Sequence, residues 1–266
     1  MTATHWPLRF ELSLHPESIA RWLYARDGTM VLPPATGTSV PLSYLVFLRA
    51  QPRLGLSFHE LLDRDPDRGL YGGVTYCRSG SLPVGATLQA RSEVVAREKV
   101  EAAAGLLTVT TLLTSYCMGD IVHATESVRM IDLPPGRPGP QPPQPARSPA
   151  HPLISTFAPI TRNQVAWLTV ETGDTNALHL DARYAGARGF PDVVVPATLL
   201  SALIERDLAA FAGCQLSEFS VRYHAPTYPD ETLQLFATRD GGVFAFEAFA
   251  GASLRASGKA KSGEPS

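Results

Sequence analysis

The sequence predicts an α+β protein built as two similar halves, each an antiparallel sheet wrapped around one central apolar helix. Three observations carry this prediction: a proline-rich break in mid-chain, three stretches that recur in the same order on both sides of it, and a helix too apolar to be solvated. The break is LPPGRPGPQPPQPARSPAHPL, residues 133–153, which holds 9 of the 23 prolines. Proline lacks the amide donor and clashes with the preceding helical turn, so this run supports neither a helix nor a central strand. It is expected to be an extended connector, on the order of 60 Å long if straight. The chain then divides into an N-terminal domain, residues 1–132, and a C-terminal domain, residues 154–266.

The recurrences follow the chain order. RWLYARDG (21–28) and AWLTVETG (166–173) align at an offset of 145, each a short amphipathic helix ending in glycine. VPLSYLVFL (40–48) and VPATLLSAL (195–203) align at an offset of 155 and place a proline in the first turn of an apolar helix, where its missing N–H costs nothing. VTYCRSGSLPVGATLQA (74–90) and FSVRYHAPTYPDETLQL (219–235) return to the offset of 145 with the same strand, break, strand pattern. Three matches in one order point to a duplicated domain. Alternating apolar residues predict strands at 74–80, 86–98, 105–118 and 121–131, then at 217–224, 231–239, 243–250 and 252–258, with RDGG as a hairpin signal. ATLLSALIERDLAAFAG is apolar around most of its surface apart from Glu205, Arg206 and Asp207, and should stop at Gly213. Such a helix needs a curved sheet around it, so the prediction is a double hot-dog with two sheets.

Composition narrows the function. A formal charge of −2 argues against nucleic acid as the main partner, and no apolar run approaches the ~20 residues that span a bilayer. The opening MTATHWPLRFELSLH mixes charge with apolar residues, unlike a secretory leader. Cys77, Cys117 and Cys214 are odd in number and far apart, which fits reduced thiols and a cytoplasmic location rather than a disulfide or zinc framework.

The chemistry concentrates in VETGDTNALHLDARYAGARGF, residues 170–190. On one straight helix Asp174 and His179 would face ~140° apart. If GDTN is a turn and the helix starts near Asn176, the two side chains converge. A carboxylate beside an imidazole supplies the proton acceptor and carrier that reversible proton transfer needs. The plain alternative is a helix cap, with Asp174 or Asn176 satisfying free amides and His179 packing. One histidine among scattered carboxylates makes no metal-ligand set, and neither a nucleophile elbow nor a phosphate loop occurs, so no metal and no organic cofactor are expected.

GDTNALHLDARYAGARGF resembles the signature of the MaoC-like (R)-specific enoyl-thioester hydratases and 3-hydroxyacyl-thioester dehydratases, with Gly173, Asp174, Asn176, His179, Ala185, Gly189 and Phe190 at matching places. FHELLDRDPDRGLYGGVTYCRSGSLPVGATL and REK (97–99) resemble the companion domain of the fused members. The resemblance implies that Asp174 and His179 do acid–base work on a water, that Asn176 orients the site, and that the amide heading the central helix, here Ala197 after Pro196, donates to the substrate oxyanion. Gly189 and Phe190 would contribute to substrate binding. Three departures stand out: Ala177 replaces the family proline, Pro196-Ala197 replaces a His-Gly pair, and the first half has ARDGTM where the second has ETGDTN, leaving it chemically silent.

The function expected from the resemblance is reversible dehydration of a (3R)-hydroxyacyl thioester of coenzyme A or acyl carrier protein to the trans-2-enoyl thioester. Alternatives are hydration of a short dicarboxylyl thioester of the mesaconyl or itaconyl type, and a non-catalytic acyl-thioester binding protein. The first half would wall an acyl channel, with PLSYLVFL as a candidate lining, and the chain would act as a monomeric pseudo-dimer or a homodimer. Asp181 and Tyr184 read as solvent or interface residues and His224 as packing. Lys259 and Lys261 read as a solvated tail rather than phosphate ligands.

Overall fold

The computed structural model describes residues 7–50, 69–102, 105–134, 146–174 and 176–263. The first half runs β1 (Leu8–Ser13), α1 (Pro16–Asp27), α2 (Tyr44–Ala50), β2 (Gly69–Arg78), β3 (Thr87–Ala102), β4 (Gly105–Met118) and β5 (Ile121–Asp132). The second runs β6 (Leu153–Thr156), α3 (Arg162–Thr172), a 3-10 turn (Ala177–His179), α4 (Ala182–Ala187), α5 (Ala197–Ala212), β7 (Leu216–Tyr223), β8 (Leu233–Asp240), β9 (Val243–Ala250) and β10 (Ser253–Ser262). All eight predicted strands are present. The short edge strands β1 and β6 were not anticipated; Leu8 and Leu153 that open them are again 145 apart.

The expectation of two sheets is corrected. The strands form one ten-stranded sheet in the order β1-β3-β4-β5-β2-β7-β10-β9-β8-β6. The halves join because β2 and β7 pair antiparallel, from Gly73 opposite Arg222 to Cys77 opposite Glu218. Left apart, each would present an unpaired edge of N–H and C=O groups. The two backbones come close at Gly73, where a Cβ would sit 2.6 Å from the carbonyl oxygen of Val221. Thr75 faces Ser220, its own repeat partner at the offset of 145, and their hydroxyls share a hydrogen bond of 2.9 Å. The approximate two-fold axis of the duplication therefore passes between these two residues.

Both sequence offsets recur in the hydrogen bonding. Val40 N–H donates to Leu82 C=O (3.0 Å) and Val195 N–H donates to Thr227 C=O (2.8 Å), donors 155 apart and acceptors 145 apart. Gly28 and Gly173 end α1 and α3 in the same left-handed conformation, at φ 71° and 66°. These two helices pack on each other: Tyr24 meets Trp167 edge-on at 5.2 Å, and Gln164 Nε2 donates to Arg26 C=O at 3.0 Å.

The core sits between the central helices and the inner face of the sheet. Leu199, Leu200, Leu203, Ile204 and Leu208 of α5 are buried in one cluster with Phe219, Phe244 and Phe246. Burying each such side chain contributes about 1.5–3 kcal/mol. Gly213 ends α5 at φ 72° as predicted, whereas Pro196 is its N-cap, one residue outside the first turn. Tyr44, Leu45, Val46 and Phe47 are buried in the same cluster, so this part of PLSYLVFL packs rather than lining an open channel. Lys259 and Lys261 lie in β10 rather than in a tail, and Lys261 pairs with Glu218 at 2.5 Å. Residues 146–152 of the proline-rich run form neither helix nor strand, and Ala150 N–H donates to Glu247 on β9 at 2.8 Å.

Candidate active site

The site begins where α3 is forced to stop. Thr161 and Gln164 form a reciprocal capping box at its start, and Val165, Leu168, Thr169 and Thr172 bury its inner face. Gly173 then takes the left-handed conformation that side-chain-bearing residues avoid, which reverses the chain. Asp174 N–H closes the reversal by donating to Thr169 C=O at 3.0 Å.

The next residues form two stacked side-chain turns. Asp174 Oδ1 accepts the Asn176 N–H at 3.0 Å, and Asn176 Oδ1 accepts the Leu178 N–H at 3.0 Å, capping the 3-10 turn that carries His179. Residues 174 and 179 thus face each other across a turn instead of diverging on a helix. His179 Nε2 lies 3.6 Å from Asp174 Oδ2. Asn176 is a backbone cap, which is how the site holds its shape.

The imidazole is fixed from its other side. His179 Nδ1 lies 2.6 Å from the Val194 carbonyl oxygen. A carbonyl only accepts, so Nδ1 carries a proton, and a neutral ring in this tautomer presents the Nε2 lone pair to Asp174. Two acceptors then face one another across a gap longer than a normal hydrogen bond. That space suits a shared proton or the hydrogens of a water or hydroxyl. The imidazole is 13% exposed and the carboxylate 38%, so the pair is shielded on the histidine side and reachable from the aspartate side.

The same contacts tie the pair to the head of α5. Val194 N–H donates back to Leu178 C=O at 2.8 Å, and Val195 is held by Thr227 C=O. Pro196, buried, follows in an extended conformation (φ −55°, ψ 130°), and Ala197 opens the helix half-buried. Amides in a first helical turn have no carbonyl one turn back, so the Ala197 N–H has no acceptor within its own helix and stands at the positive end of a 16-residue helix.

The remaining predicted residues fall elsewhere. Gly189 (φ 82°) and Phe190, whose N–H donates to Ala185 C=O at 3.1 Å, close α4. Asp181 caps α4 from an exposed position, and the amides of Tyr184 and Arg183 hold its carboxyl below the usual value. Tyr184 stacks under the Arg188 guanidinium at 3.4 Å. His224 Nε2 lies 2.7 Å from Ser257 Oγ, and burial, together with the nearby Arg222 and Arg147, pushes its pKa down. Of the companion-domain stretch that starts at Phe58, residues up to Arg68 lie outside the described residues. A cavity of about 180 Å³ is lined by Arg26, Pro41, Arg78, Glu205, Arg206 and Gln215. Another of about 420 Å³ lies over β5, β2, β7 and β10, and neither contains Asp174 or His179. Among the described residues no cluster of three His, Cys, Asp or Glu could hold a metal ion, and no helix is long and apolar enough to cross a membrane. Sequence reasoning gave Glu205 no role; its only signal was being one of three charges, with Arg206 and Asp207, on a mostly apolar helix.

This geometry stands within a stretch with known relatives: residues 146–249, which include the whole site, match the family described as MaoC like domain. The second half of the chain carries a MaoC-like dehydratase domain. Solved structures similar to the whole chain include HtdX from Mycobacterium tuberculosis, at 18% identity and a TM-score of 0.74 over 96% of this chain and 99% of that one. A MaoC-like dehydratase from Phytophthora capsici is 16% identical, with a TM-score of 0.76 over 98% and 95% of the two chains. Another M. tuberculosis protein, described as a double hotdog fold, is 13% identical with a TM-score of 0.57 over 96% of each chain. The MaoC-like domain therefore sits in a double hot-dog. No curated protein matches the chain in sequence.

Proposed function

We propose that the chain is a hydro-lyase that interconverts a (3R)-hydroxyacyl thioester, of coenzyme A or acyl carrier protein, and its trans-2-enoyl thioester. The observation that carries this reading is His179 Nε2 facing Asp174 Oδ2 across 3.6 Å, with Nδ1 held by the Val194 carbonyl. In the hydration direction a water between them donates one hydrogen to each. Its oxygen bonds to C3 of the enoyl group while the pair takes one water proton and delivers one to C2. Negative charge builds on the thioester oxygen in between. The Ala197 amide at the head of α5 is the donor for it, and such a donor is worth about 3 kcal/mol. Dehydration runs through the same groups in reverse.

In this reading residues 154–266 form the catalytic domain, residues 1–132 a companion without the acid–base pair, and residues 133–153 their tether. Gly189 and Phe190, at the end of α4, are read as contributing to substrate binding. The test is a panel of enoyl and 3-hydroxyacyl thioesters, varied in chain length and including dicarboxylyl members, followed by the ultraviolet absorbance of the conjugated enoyl group. Absorbance change without thiol release supports hydration. Thiol release would mark a thioesterase, and no turnover across the panel a binding protein.

A further inference from the structure

Glu205 lies eight residues beyond Ala197 on α5 and is only 5% exposed. Carboxyl oxygens buried this far need hydrogen-bond donors as partners. Glu205 has them in the other half of the molecule. Leu42 N–H donates to Oε1 at 2.7 Å, Ser43 N–H donates to Oε2 at 2.8 Å, and the Ser43 hydroxyl donates to the same Oε2. Leu42 and Ser43 stand 155 residues before Ala197 and Thr198, the offset that also relates Val40 to Val195 in their matching hydrogen bonds. The first-half counterparts of the helix-head amides are thus already occupied, by a carboxylate reaching across from the second half.

Side-chain hydrogen bonds between Ser201 and Tyr223, from Arg206 to Asp27 and from Ser155 to Asp207 also hold α5, but they end on side chains that can turn, whereas Glu205 grips main-chain amides. The rest of the packing is mostly apolar, and apolar contact is non-directional. Hydrogen bonds to two main-chain amides and a hydroxyl are directional, and at 1.5 Å per residue they act about 12 Å along the same rigid helix from Ala197. We infer that Glu205 is a positioning residue, whose grip on Leu42 and Ser43 sets where α5 sits along its axis and so where the Ala197 amide meets the substrate. This rests on the reading of Ala197 as the oxyanion donor. Arg206 and Arg78, which line the adjoining cavity, flank the carboxylate without replacing these bonds.

The full-length chain tests this with Glu205→Ala and Glu205→Gln, and with Leu208→Ala as a control that loosens α5 by lost packing alone. A misplacement of about 1 Å can cost on the order of 10²-fold. E205A is therefore expected to lower kcat roughly 10- to 100-fold, with KM within about threefold and an unshifted pH profile, because the acid–base pair is untouched. E205Q, which keeps one acceptor, should lose less. Leu208→Ala should lose stability but keep kcat within about threefold below its melting temperature. Equal kcat losses in E205A and L208A, or a loss confined to KM, would overturn the inference. A crystal structure of E205A gives a readout independent of activity: Ala197 should move by about 0.5 Å or more relative to His179. An unmoved helix head overturns the inference even if wild type proves inactive on every thioester, an outcome that would sink the proposed reaction separately.

Discussion

Gly28 and Gly173 provide a matched pair of perturbations. Both end a helix, 145 residues apart, at φ 71° and 66°, and both donate their N–H back into the last turn of their helix. An alanine in this conformation costs about 1–2 kcal/mol. The change also removes unfolded-state freedom, which returns about 0.4–1 kcal/mol. Each variant should therefore lose on the order of 1 kcal/mol in urea denaturation. At Gly28 the new Cβ would come 3.2 Å from Gln164 Cδ, the end of a flexible side chain that can give way, so steric cost adds little. The two part company in activity. The residue after Gly173 is Asp174, whose N–H and carboxylate both depend on that reversal, whereas Gly28 leads into Thr29 and Met30, with no counterpart of the Asp174–His179 pair. Initial rates by enoyl absorbance should fall about tenfold or more in Gly173→Ala and stay within about twofold in Gly28→Ala. Equal rate losses in the two variants, or a G28A variant as stable as wild type, would refute the reasoning.

Other substitutions probe the frame around the site. Asn176→Ala should cost about 1 kcal/mol in denaturation and lower turnover through a displaced His179, whereas Asn176→Ser, which can still cap, should keep most of both. A Cβ at Gly258 would run into the Ser220 carbonyl oxygen where β10 meets β7, so Gly258→Ala should lose 2 kcal/mol or more, on the order expected for overpacking, seen as a lower melting temperature. Asp27 is pushed up by burial, but hydrogen bonds and charge from Arg26 and Arg206 outweigh this and hold its pKa below the usual value. A depressed carboxyl contributes stability at pH values above its unfolded pKa, near 4, and loses it as pH falls through the folded value. The stability gap between wild type and Asp27→Asn should therefore be full at pH 7 and shrink as pH drops below about 4, measured by thermal melts. A gap that widens on acidification would contradict the assignment.

What the sequence disclosed follows from how local its signals were. Strands β7 to β9 were legible because apolar residues alternate and Asp240-Gly241-Gly242 marks the hairpin. The convergence of Asp174 and His179 was legible because TGDTN cannot continue a helix. The joining of β2 to β7 was not, since pairing between remote edges leaves no local pattern. Lys259 and Lys261 concealed only the end of β10, which was predicted to stop at residue 258, because SLRASGKAKS is small and polar, with only Leu254, Ala256 and Ala260 among its buried apolar residues. The tautomer of His179 depends on the Val194 carbonyl, and a main-chain group has no letter in the sequence. Glu205 showed its charge but not its partners, which lie more than 160 residues away.

The central claim is that Asp174 and His179 perform the proton transfers. Asp174→Asn is the sharpest probe, since its amide oxygen can still accept the Asn176 N–H and preserve the turn while the negative charge opposite Nε2 is lost. With the best thioester of the panel, Asp174→Asn and His179→Ala should each lower kcat/KM by about 10³ or more while melting near wild type. Folded variants of both residues that turn over at wild-type rates would contradict the account.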